Sequence, residues 1–359
     1  MHVGFISALY PPISIGGAET MTAQLAEGLL ERNVKVSVLS LQSPSNDLPD
    51  TPNIQRIPLT NVHWPYDRTQ PLPPPLQRLM WHAIDTSNPW MRQKVKKWAK
   101  EKKLDLICTH NLQGFSTGIW PELKSLNLPI VHVLHDFALL CPRTVLYKNG
   151  QVCGMQERRC TECRLLTAPR VRHSDSVSAV VGVSQFIFQL HREHGLFKDI
   201  PGQVIYNALS DAQLTQTPPI FQAESPLRLG FLGRLDQVKG LDVLLRAAEI
   251  LRLKSFPVQL ILAGSGQPRD IQQWQMQYPA LDIHALVFPS NSFEALGNVI
   301  LEAGAAARAT IASRHGGGVE LIDEGLSGAF FEPGNAKDLA NVIEGLHQRA
   351  GSWQEMGQH

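Results

Sequence analysis

"HVGFISA" at residues 2–8, "GGAETMTAQLAEGLLERN" at 16–33 and "VKVSVLSL" at 34–41 decide the fold between them. The first piece is a mostly apolar run of strand length. The second opens on two glycines and places Met21, Leu25 and Leu29 at helical spacing. The third returns to a strand. Strand, glycine-rich loop, helix, strand is a βαβ unit, and a crossover helix implies a parallel sheet.

The same grammar continues outward from that unit. Residues 44–75 are rich in proline, including "PLPPP", and read as an irregular excursion. "LDLICTH" (104–110) and "LPIVHVLHD" (128–136) add two strands, and "VSAVVGVSQFIFQLHREHG" (177–195) adds a strand and a helix. The pattern lapses around 206–226, then restarts with "LRLGFLGRL" (227–235), a helix over 240–254 and the strand "VQLILAG" (258–264). A helix near 268–278, the strand "IHALVFPS" (283–290), a helix over 296–307, the strand "ATIAS" (309–313) and a final helix from Ala336 follow. The expected architecture is α/β: two doubly wound, Rossmann-like domains facing a central cleft. Residues 1–205 form the first domain and 206–345 the second, and a tail, 346–359, packs back towards the first. Ligands of such sheets bind beyond the carboxyl ends of the strands.

Composition narrows the function classes. Lys+Arg 33 against Asp+Glu 32 offers no general attraction to nucleic acid. No apolar run reaches the roughly 18 residues of a membrane helix. The N-terminus has no basic leader, and prolines break its apolar run after Tyr10, so it reads as a buried strand in a cytoplasmic chain.

Three stretches carry chemistry. In "GFLGRLDQVKGLDVLL" (230–245) a strand ends at Gly233, Arg234 and Lys239 lie in the turn, and a helix opens near Gly240. Two cations beside a helix N-terminus suit a diphosphate, although ordinary surface cations in a turn read the same way. "AGSGQPR" (263–269) is half a dinucleotide fingerprint: position 269 is Arg where a third glycine belongs, so Gly264 reads as a tight turn for backbone approach. "NSFEALGNVILEAG" (291–304) sets Glu294 in a loop and Glu302 in the second turn of a helix, in a stretch expected to lie largely inside. At roughly 10 Å apart they are too distant to share a proton or a metal. They suit two separated sets of hydroxyls, with the amides near Gly297 and Asn298 offered to an anion between them. For either glutamate alone, a cap or a buried ion pair is the plainer reading.

These motifs, with "YPPISIGGAE" (10–19), "VLHD" (133–136), "VIYNALS" (204–210) and "GGGVELIDEGLSG" (316–328), resemble the retaining glycosyltransferases of family 4, which have the GT-B fold. The resemblance implies that Arg234 and Lys239 grip a donor diphosphate, Glu302 the ribose and Glu294 hydroxyls of the transferred sugar. It places His135 facing the reacting centre and lets Gly16 and Gly17 bring the first loop close to the phosphates. It also implies no catalytic metal, and the sequence has no D-x-D. One departure stands out. Gln267 to Phe288 is only 22 residues, one helix and one strand, where family members carry a further strand-helix unit whose loop touches the nucleobase.

Two features lie outside the resemblance. Cys141, Cys153, Cys160 and Cys163 fall within 23 residues, and a structural zinc clip, reduced free thiols and a redox-labile pair are all open readings. "WHAIDTSNPWMRQKVKKWAKEKK" (81–103) mixes Trp81, Trp90 and Trp98 with lysines. It suits either an anionic membrane surface or a solvated helix with its tryptophans turned inward.

The expected activity is transfer of a sugar from a nucleotide-sugar donor, UDP- or GDP-linked, to a saccharide or lipid-linked saccharide in cell-surface polysaccharide synthesis. The expected place is the cytoplasm, peripheral on the inner face of the membrane, without nucleic acid. A non-catalytic nucleotide-sugar or glycan binder, or a GT-B epimerase or phosphorylase, are the alternatives.

Overall fold

The computed structural model describes residues 1–67, 71–153, 161–209, 226–264, 283–348 and 352–358. The chain divides into two compact units. One comprises Met1–Thr144 and Gly154–Tyr206; the other comprises Val145–Cys153 and Asn207–His359.

In the first unit the chain runs β1 (His2–Ile6), α1 (Gly17–Glu31), β2 (Lys35–Gln42), β3 (Ile54–Pro58), α2 (Pro75–Thr86), α3 (Pro89–Lys102), β4 (Leu106–Thr109), α4 (Ile119–Lys124) and β5 (Ile130–Leu134). A short antiparallel hairpin, β6 (Tyr147–Lys148) and β7 (Gln151–Val152), falls in the segment that belongs to the second unit. The first unit resumes with α5 (Thr161–Ser174), β8 (Ala179–Gly182), α6 (Gln185–Glu193) and β9 (Gly202–Val204). Its seven strands are ordered β3-β2-β1-β4-β5-β8-β9 and all pairs are parallel. The order reverses at β1, which is the switch point of a doubly wound sheet, and the loops after β1 and β4 open there.

Helix α1 meets the sheet with a different face from the one its large apolar residues suggest. Met21 is buried with Thr22, Ala23 and Ala26, while Leu25 is 44% exposed. Small side chains on that face let the helix backbone lie close to the strands, so the buried stripe is set by size as well as by hydropathy.

The second unit runs β10 (Leu227–Leu232), α7 (Leu241–Leu253), β11 (Val258–Ala263), β12 (Ala285–Phe288), α8 (Asn298–Ala305), β13 (Ala309–Ser313), β14 (Gly328–Phe331), α9 (Ala336–His347) and α10 (Ser352–Gln358). The strands order as β11-β10-β12-β13-β14, again all parallel. Among the described residues β11 is the last strand on its side. The helix expected near 268–278 lies outside the described residues, as does most of the short segment between β11 and β12. Leu229, Phe231, Val243, Leu244, Ile311 and Ile343 close the core between sheet and helices. Trp353 and Met356 of the tail belong to that same core, and α10 packs on α9 and β13. Those two apolar residues cover the second unit's own helices.

Candidate active site

Three strand-end turns of the second unit meet and bond to one another. After β10, Gly233 takes φ +142 and the turn carries Arg234 and Lys239; Asp236 Oδ1 accepts the Lys239 amide at 2.9 Å, and Arg234 Nη2 lies 3.4 Å from Asp236 Oδ2. Gly240 then starts α7 at φ +74. A Cβ there would lie 1.7 Å from the Pro289 carbonyl oxygen, so the turn after β10 and the loop after β12 touch backbone to backbone. Gly264 plays the matching part after β11: at φ +151, its Cβ would lie 1.7 Å from the Gly233 carbonyl oxygen.

Glu294 is held in the loop before α8. Its carboxylate receives Lys239 Nζ at 2.7 and 2.9 Å and the Ser290 hydroxyl at 2.6 Å. The turn after β13 closes the group, because Gly317 donates its N–H to the Glu294 carbonyl at 2.8 Å and His315 Nε2 lies 2.8 Å from the Ser290 carbonyl oxygen. Burial lowers the His315 pKa, so it stays neutral and can donate from that nitrogen.

Helix α8 begins at Gly297, whose φ of +96 suits glycine. Asn298 Oδ1 accepts from Asn207 Nδ2 at 2.7 Å. The helix buries Ile300 and Ala303 and turns Glu302 outward, so the stretch 291–304 is half-buried instead of enclosed. An eight-residue helix packed by one face leaves the other to solvent. The Glu302 side chain makes no hydrogen bond or ion pair among the described residues, and desolvation by neighbouring atoms raises its carboxyl pKa. Thus Arg234, Lys239, Gly264, Glu294 and Gly297 lie on strand-end turns, Asn298 and Glu302 lie on α8, and Lys239 and Glu294 are bonded directly.

The first unit contributes a separate polar group. His135 Nε2 lies 2.9 Å from His110 Nδ1, and both rings border a cavity with Asp85, Asp136, Gln113 and Arg170. Asp85 on α2 is buried. Its carboxylate accepts the Gly114 amide at 2.6 Å and lies 3.7 Å from the Arg170 guanidinium, which also donates to the Ala138 carbonyl. Burial pushes Asp85 up to about 7 against the pull of Arg170 and of that amide, and pushes Asp136 up to about 6. It takes His135 down to about 4. None of Asp85, His110 or Arg170 stands out in the sequence, because each is one polar residue in a helix or at a strand end.

Gly16 precedes α1 with φ −160, a conformation open to any residue, and the nearest atom to a Cβ there is Glu19 Oε2 at 4.0 Å. The fold therefore leaves free space at Gly16. Buried Glu19 accepts the Gly16 amide at 3.0 Å and the Ser14 hydroxyl at 3.3 Å, a clasp the sequence reading missed. A glutamate three residues past a helix start is the signal for it.

Of the cysteine quartet, Cys160 lies outside the described residues. Cys141 and Cys163 belong to the first unit and Cys153 to the second. No group of three or more His, Cys, Asp or Glu placed to hold a metal occurs among the described residues. Trp81 and Trp98 are each 3% exposed, whereas Trp90 is 54% exposed. No helix among the described residues is long and apolar enough to cross a membrane.

Comparison with known proteins identifies the family and the fold. Residues 15–213 match the family described as Glycosyltransferase Family 4, and residues 226–349 match Glycosyl transferases group 1. An uncharacterized 42.6 kDa protein in the cps region of Klebsiella pneumoniae is 29% identical over 89% of this chain and 87% of that protein. The D-inositol 3-phosphate glycosyltransferase of Arthrobacter sp. (strain FB24) is 25% identical over 74% of this chain and 67% of its own. Among solved structures, sucrose-phosphate synthase from Thermosynechococcus elongatus superposes with a TM-score of 0.72 at 18% identity, covering 99% of this chain and 92% of that one. Anabaena HepE in complex with UDP-glucose gives 0.65 at 19%, covering 100% and 93%. The fold is GT-B, with two Rossmann-like domains.

Proposed function

Because the chain belongs to Glycosyltransferase Family 4, we propose that it is a retaining hexosyltransferase that takes its sugar from a nucleoside diphosphate donor, UDP- or GDP-linked. The observation that carries this reading is the bonded junction of the three strand-end turns around Lys239 and Glu294. Such a junction offers a cation, a carboxylate and the start of a helix in one place, which a nucleotide sugar needs together.

In this reading Arg234, Lys239 and the first amides of α8 meet the diphosphate and stabilise the charge that grows on it as the bond to the sugar breaks. Glu302, whose side chain has no partner among the described residues, takes the ribose hydroxyls. Glu294 takes hydroxyls of the transferred sugar, and its angle is set by Lys239 and Ser290. Open space at Gly16 lets the first loop, with Gly17, come close to the phosphates. His135 contacts the sugar from the first unit. The acceptor hydroxyl attacks the face the diphosphate leaves, a donor phosphate oxygen receives its proton, and the protein supplies positioning and charge without a catalytic metal. The acceptor is a saccharide or a lipid-linked saccharide. The cps region of the Klebsiella relative supports polysaccharide synthesis, and exposed Trp90 beside the lysines of α3 supports contact with an anionic membrane surface from the cytoplasmic side.

Incubating the protein with UDP-, GDP- and ADP-sugars tests the reading. The expected result is a rise in melting temperature with one base class, since a ligand of the native state stabilises it, together with release of the nucleoside diphosphate on adding acceptor. Binding without release under any acceptor would make the protein a nucleotide-sugar binder instead.

A further inference from the structure

Behind His135 stands a row of side chains to which the proposed reaction gives no part. Phe5 on β1 stacks on His110, with centroids 5.3 Å apart and 12° between planes, and His110 stacks on His135 at 5.2 Å and 25°. The hydrogen bonds run along the same row: Cys108 Sγ lies 3.4 Å from His110 Nε2, and His110 Nδ1 lies 2.9 Å from His135 Nε2. Cys108 and His110 are 7% and 2% exposed. The last nitrogen of the row, His135 Nδ1, has no partner among the described residues.

We propose that Cys108 and His110 lock the tautomer of His135, so that its Nδ1 carries the hydrogen and donates to a hydroxyl of the bound sugar. The donation to sugar rests on the function proposed above; the lock rests on geometry alone.

Each neutral imidazole owns one hydrogen and one bare nitrogen. Burial keeps both rings neutral, His110 well below the ordinary histidine range and His135 at about 4. A bond between two neutral imidazoles therefore fixes each ring by the other: whichever nitrogen donates, the remaining two are determined. The choice is made at the far end. Burial pushes the Cys108 thiol up to about 12, so it keeps its hydrogen. The one nitrogen bonded to it is His110 Nε2, and a bare imidazole nitrogen is a far better acceptor than a thiol sulfur. With Nε2 bare, His110 carries its hydrogen on Nδ1 and gives it to His135 Nε2. His135 is then left with hydrogen on Nδ1. Stacking on Phe5 holds His110 in plane, so the row does not relax by ring rotation. Cys108 and His110 are positioning residues, since neither touches the sugar.

Nitrogen-15 NMR of the full-length protein labelled at histidine reads this directly, with the His135 signals identified from the His135→Asn spectrum. The expected wild-type result is a protonated Nδ1 and a bare Nε2 on His135. In Cys108→Ala, or in His110→Phe, which keeps the stack, His135 should become a mixture of tautomers, and Cys108→Ser should restore the single form. Hydrogen on Nε2 in the wild type, or an unchanged tautomer in Cys108→Ala, overturns the lock. Turnover separates the two parts of the proposal. Cys108→Ala should lower kcat by about three- to tenfold, the worth of one modest hydrogen bond, and Cys108→Ser should recover it. A tautomer that shifts while kcat stays put would overturn the role of His135 at the sugar and leave the lock standing.

Discussion

Lys239 lays its ammonium across both carboxylate oxygens of Glu294, 2.7 Å from Oε1 and 2.9 Å from Oε2, with the two side chains 25% and 15% exposed. The residues are 55 positions apart and sit on turns after different strands. A diphosphate approaching Lys239 therefore meets a cation already half neutralised, and a sugar approaching Glu294 meets a carboxylate already held. Each ligand group would have to share its residue with the pair or displace the partner, so the two contacts act as one unit.

A double-mutant cycle should show that coupling. Lys239→Ala leaves Glu294 partly buried beside Ser290 without its cation, and Glu294→Ala strands the ammonium. Each should cost about 1–3 kcal/mol of stability, below the figure for a fully buried pair because both groups keep some water. The double variant should cost clearly less than the two singles together. Denaturant unfolding measures the stabilities, and the same cycle on donor KM should be non-additive. Strict additivity in both would mean that the pair has no energetic content.

Glu302 should behave in the opposite way. It is exposed, turned off α8, and its carboxylate is bonded to no described residue, so Glu302→Ala should change stability by no more than about 0.5 kcal/mol. The ribose does not react, so its contact is equally strong in ground and transition states. Donor KM should rise by about one to two orders of magnitude with kcat little changed. Arg234→Ala should instead weaken free nucleoside diphosphate in calorimetric titration, because that ligand retains the phosphates. Steady-state kinetics showing a fall in kcat alone for Glu302→Ala would move Glu302 away from the ribose.

The sequence and the structure part company where spacing stops being local. The βαβ unit of residues 2–41 and the restart at Leu227 were legible, because strand and helix periods differ over a handful of residues. Arg234, Lys239 and Glu294 stood out because each lies in a short turn between periodic runs, and Glu302 because it is a carboxylate in an otherwise apolar and small-residue helix. That Lys239 and Glu294 bond to each other was not legible, since no local period relates residues 55 apart. Asp85 and Arg170, 85 positions apart, were hidden for the same reason, and Asp85 reads as one polar residue in a surface helix. The buried face of α1 was not legible because Thr22, Ala23 and Ala26 carry little hydropathy signal yet are buried. The hairpin of β6 and β7 has strands of two residues, too short for alternation to register.

The Asp85–Arg170 pair gives the first unit a pH signature. An aspartate ordinarily titrates near 4 when unfolded, and in the fold Asp85 is pushed up to about 7, chiefly by burial. The native state then holds this proton more tightly than the unfolded chain does. Stability from Asp85 is therefore fullest below pH about 4, falls as the pH rises towards 7, and is level above that, with a slope of at most about 1.4 kcal/mol per pH unit. Asp85→Asn has no proton to lose, so the difference between wild type and variant should slope over that window and flatten outside it. Denaturant unfolding of both proteins between pH 4 and 9 measures it; a difference that is level from pH 4 to 7 would show that Asp85 ionises there as it does in water.

Gly240 gives the sharpest test of the junction itself. Its φ of +74 lies in the left-handed region, and a Cβ would stand 1.7 Å from the Pro289 carbonyl oxygen, where no side chain can yield because both parties are backbone. The strain of left-handed φ for alanine is about 1–2 kcal/mol by itself. The clash adds to it, and the turn after β10 must back away from the loop after β12. That movement carries Lys239, the preceding residue, off Glu294. Gly240→Ala should therefore lose more than about 2 kcal/mol of stability and also resemble Lys239→Ala in donor binding, although it removes no functional group. Gly325→Ala is the control: φ there is +87 and nothing lies within 4 Å of a Cβ. It should show the backbone cost alone, with donor affinity intact. Equal losses of donor affinity in the two variants, measured on folded protein, would mean that the close approach of Gly240 to Pro289 does not set the position of Lys239.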